Sequence, residues 1–340
     1  MAERVIVITT SFPEAPGDAS GHFVRSDARR RAAHGEVHVV CPGAPRLRRD
    51  GEITVHGVGG EALFAWPGAW ARARERPTRL AHAPAFALRA RSVVRELARG
   101  GPSRVVAHWA LPSAWPIAAA HAGPLEIVSH GADVRLLLRL PRPARAELVR
   151  RLLGAQTTWT FVSQALRAEL LAGLDASLGA RLAAQSRVEP APLELPEREA
   201  LPALAPRFRL EPGRYVVWVG RDVPSKRLEL ALTACARARV RLAVVGAARA
   251  ADSEHVRWLG ALPRPEALSV IAHAGALLST SAVEGAPTVV REARALGVDV
   301  VACDAGDLRS WAERDRGISL VAPEVAQIAS ALVRRGLSGT

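Results

Sequence analysis

Tyr215-Val-Val-Trp-Val-Gly220 is a short apolar run rich in valine, and it decides the fold class. A polar loop follows it, then a helix predicted over 228–238 and a second apolar strand predicted over 241–245. Buried strands that alternate with helices indicate a parallel sheet with helices on both faces. The stretch therefore predicts an α/β unit whose ligand-binding loops follow the carboxyl ends of its strands.

The same alternation extends in both directions from this stretch. Towards the C-terminus, strands are predicted at 256–259, 276–279, 298–303 and 318–321, with helices near 265–274, 287–296, 308–314 and 324–335. Towards the N-terminus, strands are predicted at 5–10, 37–41, 53–56, 104–108, 125–129 and 158–162, with a first helix over 22–34. The chain is therefore expected to form two doubly wound, Rossmann-like parallel sheets.

Six prolines between Gln185 and Gly213 interrupt this alternation. Because proline breaks helices and favours extended chain, residues 185–213 are predicted to link two domains, 1–184 and 214–340. A length of 340 residues also agrees with two domains. Ligand loops at the carboxyl edges of both sheets are expected to face a cleft between the domains.

The composition excludes several classes of protein. Hydrophobic residues make up 49% of the chain and charged residues 23%, which argues against a disordered protein. The net charge is +13, but Lys226 is the only lysine and there is no asparagine, a bias typical of a GC-rich genome. The excess of arginine is therefore largely compositional. With no lysine tract or aromatic platform, a nucleic-acid partner is not expected.

Cysteine usage and hydropathy predict a cytoplasmic protein. The three cysteines are odd in number and widely spaced, so free buried thiols are expected rather than disulfides or a zinc site. The chain starts directly with a strand rather than a signal peptide, and no apolar run approaches the ~20 residues that span a bilayer. Residues 134–151 mix arginine with leucine, and Trp66 and Trp70 lie in another segment. These segments predict weak contact with an anionic membrane face, and an arginine-rich soluble surface is the alternative.

The stretch Ser279-Thr-Ser-Ala-Val-Glu-Gly-Ala-Pro287 leads into a predicted helix that ends at Gly297. Proline is favourable in the first turn of a helix, because its missing N–H has no partner there anyway. The backbone N–H groups of Gly285, Ala286 and Thr288 and the helix dipole together predict an anion-binding site.

Two carboxylates flank this predicted helix start, Glu284 before it and Glu292 inside the helix. An anion site with hydroxyl-binding carboxylates on either side suits a nucleotide-sugar, which has a diphosphate between two sugar rings. A capped helix with two solvated glutamates is the structural alternative.

The loop after the strand at 215–220 carries Gly220, Arg221 and Lys226. Arginine can form a bidentate contact with a phosphate, and lysine adds a compact positive charge. Retention of one lysine in a chain that otherwise uses arginine favours a specific role for Lys226. Two exposed cations on a basic surface are the alternative.

Two further loops of the first domain carry candidate residues. Ser129-His130-Gly131-Ala-Asp133 caps a predicted strand, where His130 can hydrogen-bond a sugar hydroxyl or a phosphate. The loop at 16–21 ends in Gly21, which allows a close approach to a diphosphate.

These motifs together resemble the family 4 retaining glycosyltransferases, also called group 1 glycosyltransferases. Glu284 and Glu292 stand in the context Glu-Gly-x-Pro…Glu-Ala…Gly with seven residues between the glutamates, and Gly220-Arg221…Lys226 resembles the donor-phosphate loop. Similar stretches occur at 11–13, 21–24, 108–112, 129–133 and 161–163. The resemblance covers nearly the whole chain, from residue 8 to about 322, and keeps the family's order.

The resemblance implies the GT-B fold, with the first domain on the acceptor side and the second holding the donor. It assigns Arg221 and Lys226 to the donor diphosphate, Glu284 to the sugar hydroxyls and Glu292 to the ribose, with His130 beside the transferred sugar. Gly21 is the equivalent of a family Gly-Gly pair of which this chain keeps one glycine. Asp133, Gly220, Gly285, Ala286, Pro287 and Thr288 complete the expected binding set. The family's terminal helix is expected to be short or absent after 324–335.

The implied reaction is transfer of a hexose from a nucleotide-sugar to a glycan or lipid-linked acceptor hydroxyl, with retention at the anomeric carbon. No Asp-x-Asp occurs in the sequence, so no metal and no further cofactor are expected. A nucleotide-sugar epimerase and a non-catalytic carbohydrate-binding protein on the same fold are the alternatives.

Overall fold

The computed structural model describes residues 4–15, 17–18, 20–64, 68–249 and 252–337. The chain divides into two compact units, Met1–Pro192 and Leu193–Thr340. This boundary lies inside the segment 185–213 that the prolines predicted as a linker.

The first unit is built on an eight-stranded sheet in the order β3-β4-β2-β1-β5-β6-β7-β8. Neighbouring strands are parallel except for β3 and β4, which are antiparallel. The strands are β1 (Arg4–Ile8), β2 (Val37–Cys41), β3 (Leu47–Asp50), β4 (Ile53–Gly57), β5 (Ser103–His108), β6 (Leu125–Ser129), β7 (Thr157–Phe161) and β8 (Ser186–Val188). The order reverses between β1 and β5, so loops after these strands lie at the position where such sheets bind ligands.

The helices of the first unit connect these parallel strands. They are α1 (His22–Ala32), α2 (Glu61–Phe64), α3 (Ala69–Glu75), α4 (His82–Arg99), α5 (Ala132–Arg139), α6 (Arg142–Leu152), α7 (Gln164–Ala172) and α8 (Ala176–Ala184). The central strands β2 and β6 are buried along their whole length, which explains why most of their residues are apolar; His38, Glu126 and Ser129 are the buried polar exceptions.

The second unit contains a six-stranded, fully parallel sheet in the order β11-β10-β9-β12-β13-β14. Its strands are β9 (Tyr215–Val219), β10 (Arg241–Val245), β11 (Val256–Gly260), β12 (Ala276–Ser279), β13 (Val300–Cys303) and β14 (Ile318–Val321). This is the strand order of a Rossmann fold, and it reverses between β9 and β12.

Helices cover both faces of the second sheet. They are α9 (Leu228–Ala238), α10 (Arg264–Ala272), α11 (Thr288–Ala295), α12 (Leu308–Ala312) and α13 (Val325–Arg334). One apolar core packs the β9 residues Tyr215 and Val217 against α10 and α11, and the other packs Val216 and Trp218 against α9 and α13. Alternate residues of β9 thus face opposite cores, as a strand requires.

The elements that the apolar pattern predicted are confirmed. Strands β2, β6, β10, β12 and β14 and helix α9 match the predicted bounds at both ends, and the other predicted elements differ by one to three residues. Two strands were missed. Leu47–Asp50 is a largely exposed edge strand with three polar residues, so it lacks the apolar signal of a core strand. Ser186–Val188 lies inside the predicted linker and pairs with β7.

The remainder of the predicted linker, after the unit boundary, packs onto the second unit. Leu195, Leu201 and Leu204 lie partly buried against the core of that unit. Arg198 donates hydrogen bonds to Leu296 O at 2.7 Å and to Ala272 O at 2.6 Å, at the ends of α11 and α10. A guanidinium at a helix C-terminus satisfies carbonyl groups that have no partner within the helix.

The structure describes the environment of all three thiols. Cys41, Cys235 and Cys303 are buried and free, and burial raises the pKa of Cys235 to about 12. Over the described ranges, no helix combines the length and the apolar character needed to cross a bilayer.

Candidate functional site

The second unit brings two predicted loops together at one edge of its sheet. Residues 220–227 follow β9 and residues 280–287 follow β12, and these two strands are neighbours with parallel pairing. Their carboxyl ends therefore meet at the point where the strand order reverses. This is the part of an open α/β sheet where ligands bind.

Buried hydrogen bonds hold these loops against each other. The Thr280 hydroxyl is fully buried and donates to Lys226 O at 2.8 Å, and it accepts a hydrogen bond from Trp218 Nε1 at 3.1 Å. The Ala282 amide donates to Ser225 O at 2.8 Å. The loops consequently have a defined relative position, and their side chains project from a fixed backbone.

Lys226 and Glu284 form an ion pair in this loop cluster. Lys226 Nζ donates a hydrogen bond to Glu284 Oε1, and the two side chains are 23% and 13% exposed. The residues are separated by 58 positions in the sequence, and the sequence placed them in two separate motifs. Because both side chains remain partly accessible, an incoming ligand can compete for either partner.

Glycines allow close approach of the backbones around this pair. A Cβ atom on Gly306 would lie 2.3 Å from Gly285 O, and one on Gly246 would lie 2.6 Å from Gly220 O. Gly306 also has a φ of 60°, which favours glycine. The backbone of Gly306 thus packs directly against the segment that carries Glu284 and Gly285. The sequence motifs did not indicate Gly306.

Helix α11 begins directly after these loops. Pro287 precedes its first residue, Thr288, in an extended conformation, and Gly285 and Pro287 are buried while Ala286 and Thr288 are partly exposed. The first N–H groups of an α-helix have no partner within the helix and carry partial positive charge. The predicted anion-binding helix start is therefore adjacent to the Lys226–Glu284 pair.

Glu292 is buried rather than solvated, which excludes the alternative of two solvated glutamates. It is 6% exposed, and its Oε1 accepts a hydrogen bond from Arg264 Nη1. Arg264 begins α10 and also donates to Glu194 O at 3.3 Å. Sequence reasoning missed Arg264, because it lies 28 positions from Glu292 and outside every motif. Arg221 is exposed on its loop.

In the first unit, His130 lies just after β6 in a partly exposed aromatic cluster. Its ring centroid is 4.7 Å from that of Phe23 and 5.0 Å from that of Trp109. Phe23 belongs to α1, and Trp109 follows the last residue of β5. Aromatic rings at these distances pack favourably and present an apolar surface.

A chain of hydrogen bonds connects His130 to a buried carboxylate. His130 Nε2 lies 2.9 Å from His108 Nδ1, and His108 Nε2 lies 3.3 Å from Asp27 Oδ2. His108 and Asp27 are 2% and 3% exposed. The sequence indicates His130 as a site residue, but it gives no such role to His108, which ends β5 and begins the family-like stretch 108–112, or to Asp27, which lies on α1.

Asp27 belongs to a larger ionic cluster in which the carboxylates of Asp27 and Glu126 are buried while Arg30 and Arg187 are about half exposed. Its carboxylate accepts from Arg31 Nε at 2.8 Å and from Arg30 Nη2 at 2.9 Å. Arg31 in turn lies 3.1 Å from Glu126 Oε2, and Glu126 also accepts from Arg187 at 2.8 Å. Burial alone would raise the pKa of Asp27, but His108 and Arg31 lower that pKa to well below its ordinary value. Asp27 is therefore ionised at neutral pH.

Desolvation by burial lowers the pKa of His130 well below its ordinary value. The His130 imidazole is therefore neutral at physiological pH. A neutral imidazole has one N–H donor and one acceptor nitrogen, and the hydrogen bonds of the ring decide which is which.

Asp133 organises the backbone of the His130 loop. Its Oδ2 accepts from Ser129 Oγ at 2.6 Å and from Ala110 N at 2.8 Å, and its Oδ1 accepts from Gly131 N at 3.1 Å and His130 N at 3.2 Å. The carboxylate is 2% exposed. Protein donors thus occupy both oxygens.

Gly21 has a steric role before the first turn of α1. Its φ is 66°, and a Cβ atom would lie 2.3 Å from Ser11 O. The preceding loop is stabilised by a contact of 3.0 Å between Ser11 Oγ and Ser20 Oγ. Pro16 and Ala19 of the predicted loop lie outside the described residues.

The arginine–leucine segment 134–151 folds into α5 and α6. Val134, Leu137, Leu148 and Val149 are buried, and the Arg145 side chain turns inward to Leu138 O at 3.0 Å. Arg150 and Arg151 each pair with Glu147 at 2.7 Å. The exposed surface of this segment includes Leu136, Arg139 and Arg142 as well as the paired Glu147, Arg150 and Arg151. Trp66 and the side chain of Trp70 lie outside the described residues.

Among the described residues, no group of three or more His, Cys, Asp or Glu residues is placed to hold a metal ion.

A family comparison identifies the type of the second unit. Residues 213–335 match the family model described as glycosyl transferases group 1. These residues, which include both loops and α11, therefore form a domain of the group 1 glycosyltransferase type. A search of curated proteins finds no match to this chain.

Solved structures resemble the chain along almost its whole length. Sucrose-phosphate synthase from Thermosynechococcus elongatus has a TM-score of 0.73 at 17% identity, covering 99% of this chain and 91% of that one. An α,α-trehalose-phosphate synthase (UDP-forming) from Burkholderia vietnamiensis has a TM-score of 0.65 at 16% identity, with coverages of 98% and 91%. The catalytic domain of starch synthase IV from Arabidopsis thaliana, bound to ADP and acarbose, has a TM-score of 0.65 at 15% identity, with coverages of 98% and 91%. The likeness confirms the GT-B fold.

Proposed function

We propose that this protein is a retaining glycosyltransferase that moves a hexose from a nucleotide-sugar to an acceptor hydroxyl. The observation that carries the proposal is the Lys226–Glu284 ion pair beside the start of α11, at the reversal point of a group 1 glycosyltransferase domain. A cation, a carboxylate and free helix N–H groups at one place match the diphosphate and the hydroxyls of a nucleotide-sugar.

The donor would displace the ion pair when it binds. Lys226 would move its charge to the diphosphate, and Glu284 would then accept hydrogen bonds from hydroxyls of the hexose. Arg221 and the N–H groups around Gly285, Ala286 and Thr288 would add further donors to the phosphates. Glu292 would bind the ribose, with Arg264 as the positioning residue that orients its carboxylate.

The reaction itself needs positioning and charge stabilisation rather than a protein nucleophile. The bond from the anomeric carbon to the diphosphate oxygen breaks, and its electron pair stays on the diphosphate. The acceptor oxygen forms the new bond on the same face, and its proton passes to the departing diphosphate. Preorganised donors aimed at the developing charge are the largest contribution that a protein makes to such a step.

In the first unit, His130 is proposed to contact the transferred sugar. Phe23 and Trp109 flank its ring and offer apolar surface to the C–H face of a sugar. We assign Asp133 and Gly21 positioning roles, since protein donors saturate the Asp133 carboxylate and Gly21 packs tightly on Ser11.

The single lysine makes a direct test of donor binding possible. Reductive methylation with 13C-formaldehyde labels Lys226 and the N-terminal amine, and a Lys226→Arg variant identifies the lysine signal in NMR spectra. UDP-, GDP- and ADP-sugars are then titrated separately. The proposal predicts that one donor series shifts the Lys226 signal and leaves the terminal amine unchanged. A Lys226 signal unmoved by every nucleotide-sugar contradicts it.

Product analysis with the donor that binds distinguishes the reaction type. A transferase forms a glycoside only when acceptor is present, and the product keeps the anomeric configuration of the donor. Conversion of the donor without acceptor would instead indicate an epimerase. Glycan and lipid-linked alcohols are the acceptor classes to screen, in keeping with a proposed role in polysaccharide or glycolipid synthesis in the cytoplasm.

Weak contact with an anionic membrane face is proposed separately for the exposed edge of α5 and α6. Arg139, Arg142 and Leu136 support it, because each cation near such a surface contributes about 1 kcal/mol. Vesicle sedimentation measures it. Equal recovery of protein with neutral and with anionic lipid would exclude the contact.

A further inference from the structure

The hydrogen-bond chain from Asp27 through His108 to His130 has a defined direction. Asp27 is ionised and can only accept, so His108 Nε2 must carry the proton that points towards it. In a neutral His108, Nδ1 is then the acceptor. The proton between the two rings must therefore sit on His130 Nε2, 2.9 Å away.

The charged groups around His108 pair with one another. The cluster holds three carboxylates, Asp27, Glu126 and Glu189, and three guanidinium groups, Arg30, Arg31 and Arg187. Asp27, Glu126 and Arg31 are largely buried, while the side chains of Glu189, Arg30 and Arg187 are 36%, 49% and 50% exposed. Because charges of the two signs are equal in number, an uncharged His108 leaves the cluster neutral.

One more charged group lies near the His130 loop, since a Cβ atom on Gly131 would lie 3.3 Å from Arg135 Nη1. Asp133 faces the loop from α5, but its two oxygens are engaged by four neutral donors and none of these is a ring nitrogen. Thr160 on β7 donates its hydroxyl to Glu126 at 3.0 Å. Phe23 and Trp109 contribute uncharged rings.

We propose that Asp27 and His108 are positioning residues that hold His130 as its Nε2–H tautomer, so that Nδ1 is presented as a hydrogen-bond acceptor. No residue in the described part of the chain bonds to His130 Nδ1. An acceptor nitrogen binds a hydroxyl and repels a phosphate oxygen, which has no proton to donate. The inference rests on the proposed function and specifies it: His130 selects a sugar hydroxyl, not the diphosphate.

Histidine tautomers are measured directly by NMR on protein labelled with 15N-histidine. A His130→Gln variant identifies the His130 signals among those of the 10 histidines. Between pH 6 and 8 we expect Nε2 of His130 to be protonated and Nδ1 to show the shift of a bare, pyridine-type nitrogen. A proton on Nδ1 with a bare Nε2, or a doubly protonated ring, overturns the proposal.

Asp27→Asn tests whether the carboxylate sets this direction. The amide can donate to His108 Nε2, which moves the His108 proton to Nδ1 and makes His130 Nε2 the acceptor. We expect the His130 proton to move to Nδ1. Asp50→Asn is the matched control, because Asp50 also pairs with arginines of α1 but has no contact with either histidine. A His130 tautomer unchanged by Asp27→Asn contradicts the proposal that Asp27 sets this tautomer through His108.

Activity then links the tautomer to substrate recognition. For the Asp27→Asn protein, kcat/KM for the donor should fall about 10- to 100-fold, because a donor replaces an acceptor opposite the sugar hydroxyl. Affinity for the free nucleoside diphosphate should stay unchanged. Equal losses of both would indicate a general structural defect and contradict the proposal.

The two proposals fail in different ways. A failure of the proposed function appears as a Lys226 signal that ignores every donor, while the His130 tautomer can still be as described. A failure of the tautomer proposal appears in the His130 tautomer of the wild-type protein, whether or not nucleotide-sugars bind. If Asp27→Asn does not fold, the wild-type spectrum alone still decides the tautomer.

Discussion

Asp27 and Glu126 in the first unit and Glu284 in the second are held in opposite ways. Asp27 and Glu126 in the first unit are almost fully buried, and each contacts at least two cationic side chains. Glu284 in the second unit is partly exposed and pairs with Lys226 alone among the residues described. A buried carboxylate needs several cationic partners, because its removal from water is costly. A partly exposed ion pair incurs less of this cost, and it contributes only about 0–1 kcal/mol to the free energy of unfolding.

The difference assigns distinct tasks to the two regions. The ionic cluster around Asp27 holds one histidine ring in one orientation, and losing a member leaves uncompensated charge. The partly exposed Lys226–Glu284 pair holds a cation and a carboxylate in position until a ligand binds to both. Substitutions in the first region should therefore damage stability, and substitutions in the second should damage activity.

Asp27→Ala should have the largest effect of all on stability. Removal of the carboxylate leaves His108 Nε2 buried without its acceptor and takes from Arg31 one of its two carboxylate partners, a loss of about 3–5 kcal/mol in the free energy of unfolding. Urea unfolding measures it. Asp222→Ala is the matched control, since Asp222 forms an exposed pair with Arg249, and it should cost less than about 1 kcal/mol. Similar losses in both variants would remove the distinction between the two regions.

Lys226→Ala should have the largest effect on activity and almost none on stability. Loss of one donor to a developing anion lowers the rate by about 10²–10³. The melting temperature should change little, because surface substitutions usually stay within about 0.5 kcal/mol. Lys226→Arg should recover part of the rate, since it keeps the charge but not the compact ammonium.

Initial rates at varied donor concentration, measured beside melting curves, provide the readout for Lys226. Arg237→Ala serves as the control, because Arg237 is an exposed cation on α9 away from both loops. It should leave rate and melting unchanged. Near-normal turnover of a well-folded Lys226→Ala protein would exclude this loop as the phosphate site.

Gly306→Ala should disturb the site through the backbone. A Cβ atom there would collide with Gly285 O, so the Glu284 segment must shift, at a cost of about 1–3 kcal/mol. Gly213→Ala is matched in backbone conformation, with a φ of 75°, but its Cβ would meet nothing within 4 Å. We expect weaker donor binding for Gly306→Ala alone, measured by calorimetry. Equal donor affinities in the two variants would show that this contact does not shape the site.

Protonation of His130 should make the stability of the first unit depend on pH. Burial lowers the pKa of His130, so below pH 6.5 the unfolded chain binds a proton that the folded protein does not. Stability should therefore fall as pH decreases from 6.5, by less than about 1.4 kcal/mol per pH unit. Thermal melts between pH 7 and 5 test this. His130→Gln should flatten the dependence, and an unchanged slope would contradict the assignment.

The smallest expected effect is that of a chelator. Arg221, Lys226 and the start of α11 supply positive charge to the donor site, so EDTA should leave initial rates unchanged. Loss of turnover with EDTA and recovery with magnesium or manganese would show that the cations of this site do not neutralise the diphosphate charge without a metal ion.

Most of the fold was predictable because apolar patterns are local. Strand Leu125–Ser129 is buried along its length and has three apolar residues, Leu125, Ile127 and Val128, whereas the edge strand Leu47–Asp50 has mainly polar, largely exposed residues and gave no signal. Ser186–Val188 was missed because its position beside β7, not its own sequence, makes it a strand.

The candidate site was predictable only where its residues lie within one loop. Glu284 to Thr288 surround one helix start, and Gly220 to Lys226 lie in one loop, so spacing alone identified both. Arg264, Gly306, His108 and Asp27 were missed. Each acts on a residue at least 20 positions away, and no spacing in the sequence records such a contact.

The sequence by itself determined the alternation of strands and helices, the positions of the loops and the residue types available for phosphate and sugar contacts. It could do so because periodicity, helix capping and loop chemistry depend on neighbours in the chain. Only the tertiary structure decided that Lys226 pairs with Glu284, that Glu292 is buried on Arg264 and that Asp27 reaches His130 through His108. Those contacts depend on the order of strands within each sheet, which brings distant loops to the same edge.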